Sequence, residues 1–349
     1  MDRRLLLRSL PSFLIASSAP SLWTPALAAK VKFPAALLIP RTGPHAALGR
    51  SMERAASLAQ GGKASGELFV FDTGSTAQGA AAAARAARKA GVTVILGPVF
   101  AHQVPAVLGV VGSGVPVLSF SNDAALLESG AFLFGITARQ AVAAILAYAA
   151  GRGIRRVAIG GAGEGWGGQV RAAAATAAAA FGIETYPLPA GDITALPATA
   201  SGASDGLPDA VLMADAAALA RLTPDLAARG VQPLGAFPGL DLSPEQFRTL
   251  DGAWLSAPDP ARFDGFARSF EQRNGSRPGV IAALAYDAAN IARQLRLGGG
   301  TDRSALLATG FKAICGDVRF REDGSATRVL AILAVSAAGM RTIATPAAA

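Results

Sequence analysis

From Phe33 onward, apolar positions fall into two alternating patterns. Short runs that are apolar at nearly every position, 35–39, 68–71, 92–96 and 115–120, read as strands buried on both faces. Between them lie alanine-rich stretches of helical composition, 49–60, 77–90 and 103–111, the second closed by Gly91. A β-α-β-α series of this kind predicts a parallel sheet with helices on both sides. A second series follows 132–134, with helices at 140–151 and 169–181 and strands at 156–159, 183–186 and 210–213. Segment 187–208 is poor in large apolar residues and rich in Pro, Gly, Ala and Ser, which predicts a loop or a poorly formed helix.

The last third carries denser signals. Phe263, Phe266 and Phe270 are spaced by three and four, so one helical face is aromatic and packs into a core. Ile281, Leu284, Ala288, Ile291 and Leu295 form one stripe of a helix over 278–297, which glycines 298–300 end. Strands at 318–321 and 329–335 flank Glu322, Asp323 and Gly324, a hairpin signal because Asp-Gly tolerates positive φ.

Composition narrows the class. The chain has 349 residues, 51% apolar and only 16% charged, enough to build two lobes of ordinary size. Its first residues hold Arg3, Arg4 and Arg8, then a short apolar stretch and a small-x-small site at 26–28, so 1–28 reads as a cleaved signal peptide. The apolar stretch is broken by Pro11, Pro20 and Pro25 and is too short to span a bilayer. The Arg3-Arg4 pair resembles a twin-arginine export signal, although Asp2 departs from it and ordinary unfolded export stays open. Removing 1–28 leaves 29 basic and 23 acidic residues, a net charge of +6, scattered without a dense basic block. With 6% aromatic residues as well, nothing points to nucleic acid. Cys315 is the only cysteine, so there is no disulfide framework, and it reads as a small buried hydrophobe.

Two motifs suggest chemistry and fail on context. Asp72-Thr-Gly-Ser matches an aspartic-protease strand, but the second carboxylate that such a site needs is missing, and an alanine-rich helix follows. Asp72 therefore reads as a strand end, with Ser75 or Thr76 capping the helix from Ala77. Residues 163–168 (Gly-Glu-Gly-Trp-Gly-Gly) satisfy G-x-G-x-x-G between a strand and a helix, and Glu184 is spaced as a ribose-binding acid. Three residues separate that motif from the strand end, and Trp166 puts an indole inside it, so a dinucleotide is disfavoured. There is no G-x-S-x-G elbow, His45 and His102 both fall in loops, and no cluster has metal-ligand spacing. Neither cofactor nor catalysis is expected. In open parallel sheets ligands sit beyond the carboxyl ends of strands, which singles out the loops holding Arg41, 98–102, 119–123, 164–166 and Asp215. There Ser119, Ser121 and Asn122 offer hydroxyl and amide groups that suit a carboxylate.

In order, the motifs 37–44 (Leu-Leu-Ile-Pro-Arg-Thr-Gly-Pro), 91–98 (Gly-Val-Thr-Val-Ile-Leu-Gly-Pro) and 115–122 (Val-Pro-Val-Leu-Ser-Phe-Ser-Asn) resemble the leucine-binding-protein family of type I periplasmic binding proteins. Residues 263–270 and 282–288 resemble its late helices. The resemblance implies an α/β fold of two Rossmann-like lobes with parallel central sheets, joined by three hinge crossings near Ile136, Leu255 and Gly316. Lobe 1 would hold 31–135 and 256–315, lobe 2 137–254 and 317–345. It implies a ligand carboxylate gripped at Ala101, His102, Ser119 and Ser121, an aromatic lid at Trp166, and an ammonium partner at Asp215, with Asp241 behind it. The expected role is capture of a small polar solute such as an amino acid, by a monomer, for an inner-membrane ABC permease. One departure is that 99–103 (Val-Phe-Ala-His-Gln) lacks a hydroxyl. The ending, 316–325 and 328–335, looks like the branch of penicillin-binding protein activators, which implies the alternative of a cell-wall synthase as partner.

Overall fold

The computed structural model describes residues 33–61, 67–161, 163–188, 207–237, 239, 240 and 242–345. The signal-peptide segment, most of 187–208 and Asp241 lie outside them.

The first series folds as read, except that the strand at 68–72 lies at the sheet edge and is half-buried or exposed rather than buried on both faces. β1 (Ala35–Ile39), α1 (Ala46–Ala59), β2 (Leu68–Asp72), α2 (Ala77–Lys89), β3 (Val94–Leu96), α3 (Val104–Val111), β4 (Val117–Ser119) and β5 (Phe132–Leu133) follow in sequence. They build a parallel sheet of order β2-β1-β3-β4-β5. β1 lies between β2 and β3, and all five of its residues are buried, which is why its run carries no polar alternation. Thr76 caps α2 by accepting the Gly79 N–H at 2.9 Å, one of the two caps expected there.

The second series runs α4 (Ala138–Gly151), β6 (Arg156–Ile159), α5 (Trp166–Ala180), β7 (Glu184–Pro187), β8 (Ala210–Met213), α6 (Ala216–Ala228), β9 (Gln232–Gly235), α7 (Pro244–Thr249) and β10 (Trp254–Ala257). A capping box starts α4, in which Thr137 and Gln140 satisfy each other's backbone N–H groups. α8 (Pro260–Asn274), α9 (Val280–Leu297) and α10 (Arg303–Ala308) precede the closing strands β11 (Gly310–Phe311), β12 (Val318–Phe320), β13 (Ala326–Arg328), β14 (Ala331–Ser336) and β15 (Gly339–Ala344). The second sheet has order β15-β14-β10-β9-β8-β6-β7, parallel from β7 to β10 and antiparallel through β14 and β15. α9 belongs with the first sheet, packed along α1.

One expectation is narrowed and another shifts. Leu255 lies inside β10, opposite Leu333, so the crossing expected near Leu255 follows Ala257. The hairpin at 318–335 is also two structures. β13 closes it by pairing with β12, and β14 then pairs with β10 and β15. The β12–β13 hairpin, assigned by sequence to the second lobe, packs on β5 of the first sheet. Leu133 N–H donates to Gly324 O at 2.8 Å and Glu128 N–H to Asp323 O at 2.9 Å. Phe320 packs against Phe132 with the rings tilted by 58° and their centroids 5.1 Å apart. The crossing therefore falls at Val329 and Leu330, beyond Gly316.

Gly324 is what lets the hairpin approach. Its φ is +82°, and a Cβ there would stand 2.3 Å from the Ala131 carbonyl. Gly324→Ala should cost about 1–3 kcal/mol in urea unfolding. Gly109→Ala, in α3 with open space around it, should be neutral or stabilising by up to about 1 kcal/mol.

Candidate functional site

The carboxyl ends of both parallel sheets converge on a cavity of about 630 Å³. From the first sheet come Val99, Phe100 and Ala101 after β3, and Phe120, Ser121 and Asn122 after β4. Gly165, Trp166 and Gln169 enter from the start of α5, and Val280, Ile281 and Leu284 from the first turns of α9. Ile136, in the crossing between β5 and α4, lies at its base. The wall is mainly apolar. Among the described residues its polar groups are Ser51, Ser121, Asn122, Asp123 and Gln169, and no arginine, lysine or histidine lines it.

The loops are held rigid by their own polar side chains. Ser119, fully buried, donates its hydroxyl to Pro98 O at 3.1 Å and accepts Ser121 N–H at 3.1 Å. Ser121 Oγ accepts the Asp123 N–H at 3.1 Å, and Asp123 Oδ1 accepts the Ala125 N–H at 3.0 Å. Ala101 opens a short 3-10 turn ahead of α3, where the first N–H groups have no partner within the helix. Trp166 is fixed from the other sheet, its indole N–H donating to Ala236 O at 2.9 Å. Gln169 Oε1 is buried without a hydrogen-bond partner.

Of the residues singled out by sequence, Ala101, Ser121, Asn122 and Trp166 line this cavity, and four do not. Ser119 lies beneath it, its hydroxyl committed to the loop. His102 is exposed and stacks on Phe100, with ring centroids 5.8 Å apart and planes at 9°. Asp215 caps α6 by accepting the Ala218 N–H at 2.7 Å, which removes it from the cavity wall. Arg41 pairs with Glu53 at 2.9 Å in a separate open groove of about 930 Å³ along β2 and α1, on the flank of one sheet. Sequence reading placed Phe100 and Phe120 in candidate loops without giving either a role, and it missed Gln169 and the start of α9. Ile281 was placed in a core stripe, yet its side chain is 41% exposed and faces the cavity.

The two decoy motifs resolve structurally. Asp72 Oδ1 accepts the N–H groups of Arg41 and Gly74 at 2.8 Å and of Thr42 at 3.1 Å, and Oδ2 accepts the Thr42 hydroxyl at 2.6 Å. Desolvation raises its pKa, but these bonds outweigh burial and hold it below the usual 3.8. At the glycine turn, Arg171 from α5 donates to Gly161 O and Gly163 O, so the loop is braced by its own helix. Glu184 pairs in register with Arg156 at the start of β6, whereas that turn follows the end of β6. An acid there is at the wrong end of the sheet for a ribose. Among the described residues no group of three His, Cys, Asp or Glu could hold a metal ion, and no helix is long and apolar enough to cross a membrane. Cys315 is fully buried, and burial pushes its thiol well above the ordinary value, so it is unreactive.

A family model described as periplasmic binding protein matches residues 32–340. The chain belongs to that family. It is a family of binding proteins of the periplasm, and the two sheets facing one cavity are its fold. Among solved structures, a protein from Rhodospirillum rubrum assigned as a branched-chain amino acid ABC transporter is 23% identical, with TM-score 0.74, over 89% of this chain and 100% of that one. A solute-binding protein of an ABC transporter from Rhodopseudomonas palustris, in complex with 3,4-dihydroxybenzoic acid, is 19% identical, with TM-score 0.64, over 91% and 97%. The C-domain of LpoA from Haemophilus influenzae, a regulator of PBP1A, is 15% identical, with TM-score 0.68, over 89% and 100%. No curated protein matches the chain in sequence.

Because the folded carboxyl of Asp72 is depressed, its stabilisation is present above pH 3.8 and is lost as pH falls through the folded value. Asp72→Asn should therefore lower the urea midpoint at pH 7, and the gap to the parent protein should close below pH 3.8. A gap independent of pH would contradict this role.

Proposed function

We propose that this binding protein captures a small carboxylic acid with an apolar body and delivers it to an inner-membrane ABC permease. The observation that carries the reading is the cavity wall itself. Aromatic and branched side chains from both sheets surround it, and of its few polar side chains Ser121, Asn122 and Asp123 sit together in the loop after β4. A volume of about 630 Å³ falls within the range of about 300–1,000 Å³ usual for small-molecule sites.

The carboxylate meets neutral donors, the N–H groups that open the 3-10 turn at Ala101 and the side chains of Ser121 and Asn122, as anions do at helix N-termini. Trp166 covers the apolar body from the second sheet. The first sheet with α9 forms one lobe and the second sheet the other. They close over the ligand by bending at the crossings, and the permease reads the closed form. The role rests on ligand capture rather than on the cell-wall regulation of the LpoA likeness, because the cavity is open and not filled by packed side chains. Export uses the amino-terminal segment 1–28.

Asp215 does not line the cavity, so among the described residues the carboxylate that would meet an α-ammonium group is Asp123, which stands at the cavity wall and also accepts the Ala125 N–H. A thermal-shift and calorimetry panel should include leucine, isoleucine, valine, benzoate and 3,4-dihydroxybenzoate. At least one should raise the melting temperature, since a hundredfold excess over Kd adds about 2.7 kcal/mol. Trp166→Ala should weaken that binding about 10- to 100-fold, equivalent to about 1–3 kcal/mol. Asp123→Asn should weaken an amino acid similarly and leave benzoates unchanged. Silence across the panel, or full affinity in Trp166→Ala, would overturn the proposal.

A further inference from the structure

A second cavity, of about 570 Å³, lies between α4 and the β12–β13 hairpin and shares no lining residue with the first. One wall is the small-residue face of α4, Ala143, Ala144 and Ala147. Phe181, Leu133 and Leu330 complete an apolar interior. Polar groups gather separately. Arg139 on α4 and Arg321 on the hairpin, both exposed, line the cavity together with Asp323. Both guanidiniums act on the Asp323 carboxyl, which Ser325 N–H and the Ser325 hydroxyl hold below its ordinary value. Arg328, the third arginine of the lining, is faced by the buried Asp287, so the two exposed cations against Asp323 leave one positive charge in excess.

Arg328 lines the cavity and is only 6% exposed. Its Nη atoms donate to Phe134 O, Cys315 O and Gly316 O, while its Nε–H, buried, has no acceptor. Buried donors are nearly always satisfied, but this one is sealed from the cavity space, so Arg328 contributes to the wall from beneath and the exposed Arg139 and Arg321 are the donors an occupant can reach.

We propose that this cavity binds an amphipathic monoanion, a medium-chain fatty acid, with its tail against Ala143, Ala144, Ala147 and Phe181 and its carboxylate toward the arginines. A single negative charge matches the excess cation, and an unbranched chain suits a wall of alanines that offers no pocket for a branch. The cavity spans the segments on either side of the first and third crossings, since Thr137 and Val329 also line it. The occupant acts as a wedge across two crossings, so it changes the affinity of the first cavity for its own ligand, and the reverse holds by linkage.

The test is calorimetric titration of the exported chain with decanoate, below its micellar concentration, and with methyl decanoate. Decanoate should bind saturably at one site, and the uncharged ester at least tenfold more weakly. Ala147→Trp, which fills the cavity, and the double variant Arg139→Glu/Arg321→Glu should each weaken decanoate at least tenfold. Their urea midpoints would show that they remain folded. Trp166→Ala should leave decanoate binding unchanged, because it alters only the first cavity. Three results would overturn the proposal: no saturable binding to the parent protein, equal binding of acid and ester, or loss of binding in Trp166→Ala with none in the double variant.

Discussion

One buried guanidinium holds the junction between the two sheets together. Arg328 stands at the end of β13, just before the chain crosses to β14, and reaches back to the Phe134 carbonyl, at 2.7 Å, where the chain first leaves β5. It also donates to Cys315 O and Gly316 O, and its plane lies 4.9 Å from the Phe134 ring centroid. Asp287 on α9 is the countercharge. It accepts the N–H groups of Ile314 and Cys315 at 2.8 and 2.9 Å and is only 2% exposed. Burial disfavours either charge alone, raising the carboxyl and lowering the guanidinium, so each requires the other in place. Removing either group leaves the other buried charge less compensated, and the backbone hydrogen bonds that the two make fix where segments 134 and 314–316 run beside β13.

That constraint explains why the candidate site can be apolar and still specific. With the crossings fixed side by side, the strand ends of two separate sheets point into one gap, and Ile136 in the first crossing forms part of its wall. The side chains facing the gap can then be chosen for the ligand. Other polar side chains near the strand ends are committed to geometry: Ser119 to its loop, Asp72 to the turn beside β1, Asp215 to the cap of α6. A site whose loops are rigid before the ligand arrives loses less entropy on binding.

Much of the fold was legible because a strand buried on both faces is apolar throughout, as 35–39 and 94–96 are, and a helix between such strands forces a parallel crossover. The hairpin was legible as a turn but not as a partner choice, since nothing local in 318–328 says which sheet it will lie on. That is settled by Gly324 against Ala131, a contact across nearly two hundred residues. The site was half legible for a related reason. Ile281 has the same helical spacing as the core residues of its stripe, and spacing cannot tell a side chain that meets another helix from one that meets a gap. Asp215 carried the opposite ambiguity, because an acid before a helix serves equally as cap or as ligand until the direction of the helix is known. Asn122 and Trp166 were found because their loops follow strand ends, a topological rule that needs no side-chain detail.

Closure of two lobes over a shared gap is what the account depends on, and distance measurement by paired spin labels tests it directly. Labels at His102→Cys and Glu164→Cys would report from exposed positions on the two lips, with buried Cys315 unlabelled. Saturation with whichever of leucine or 3,4-dihydroxybenzoate binds should shorten and narrow the distance distribution. A distribution that stays the same with bound ligand would contradict closure, and with it the role of the cavity between the sheets.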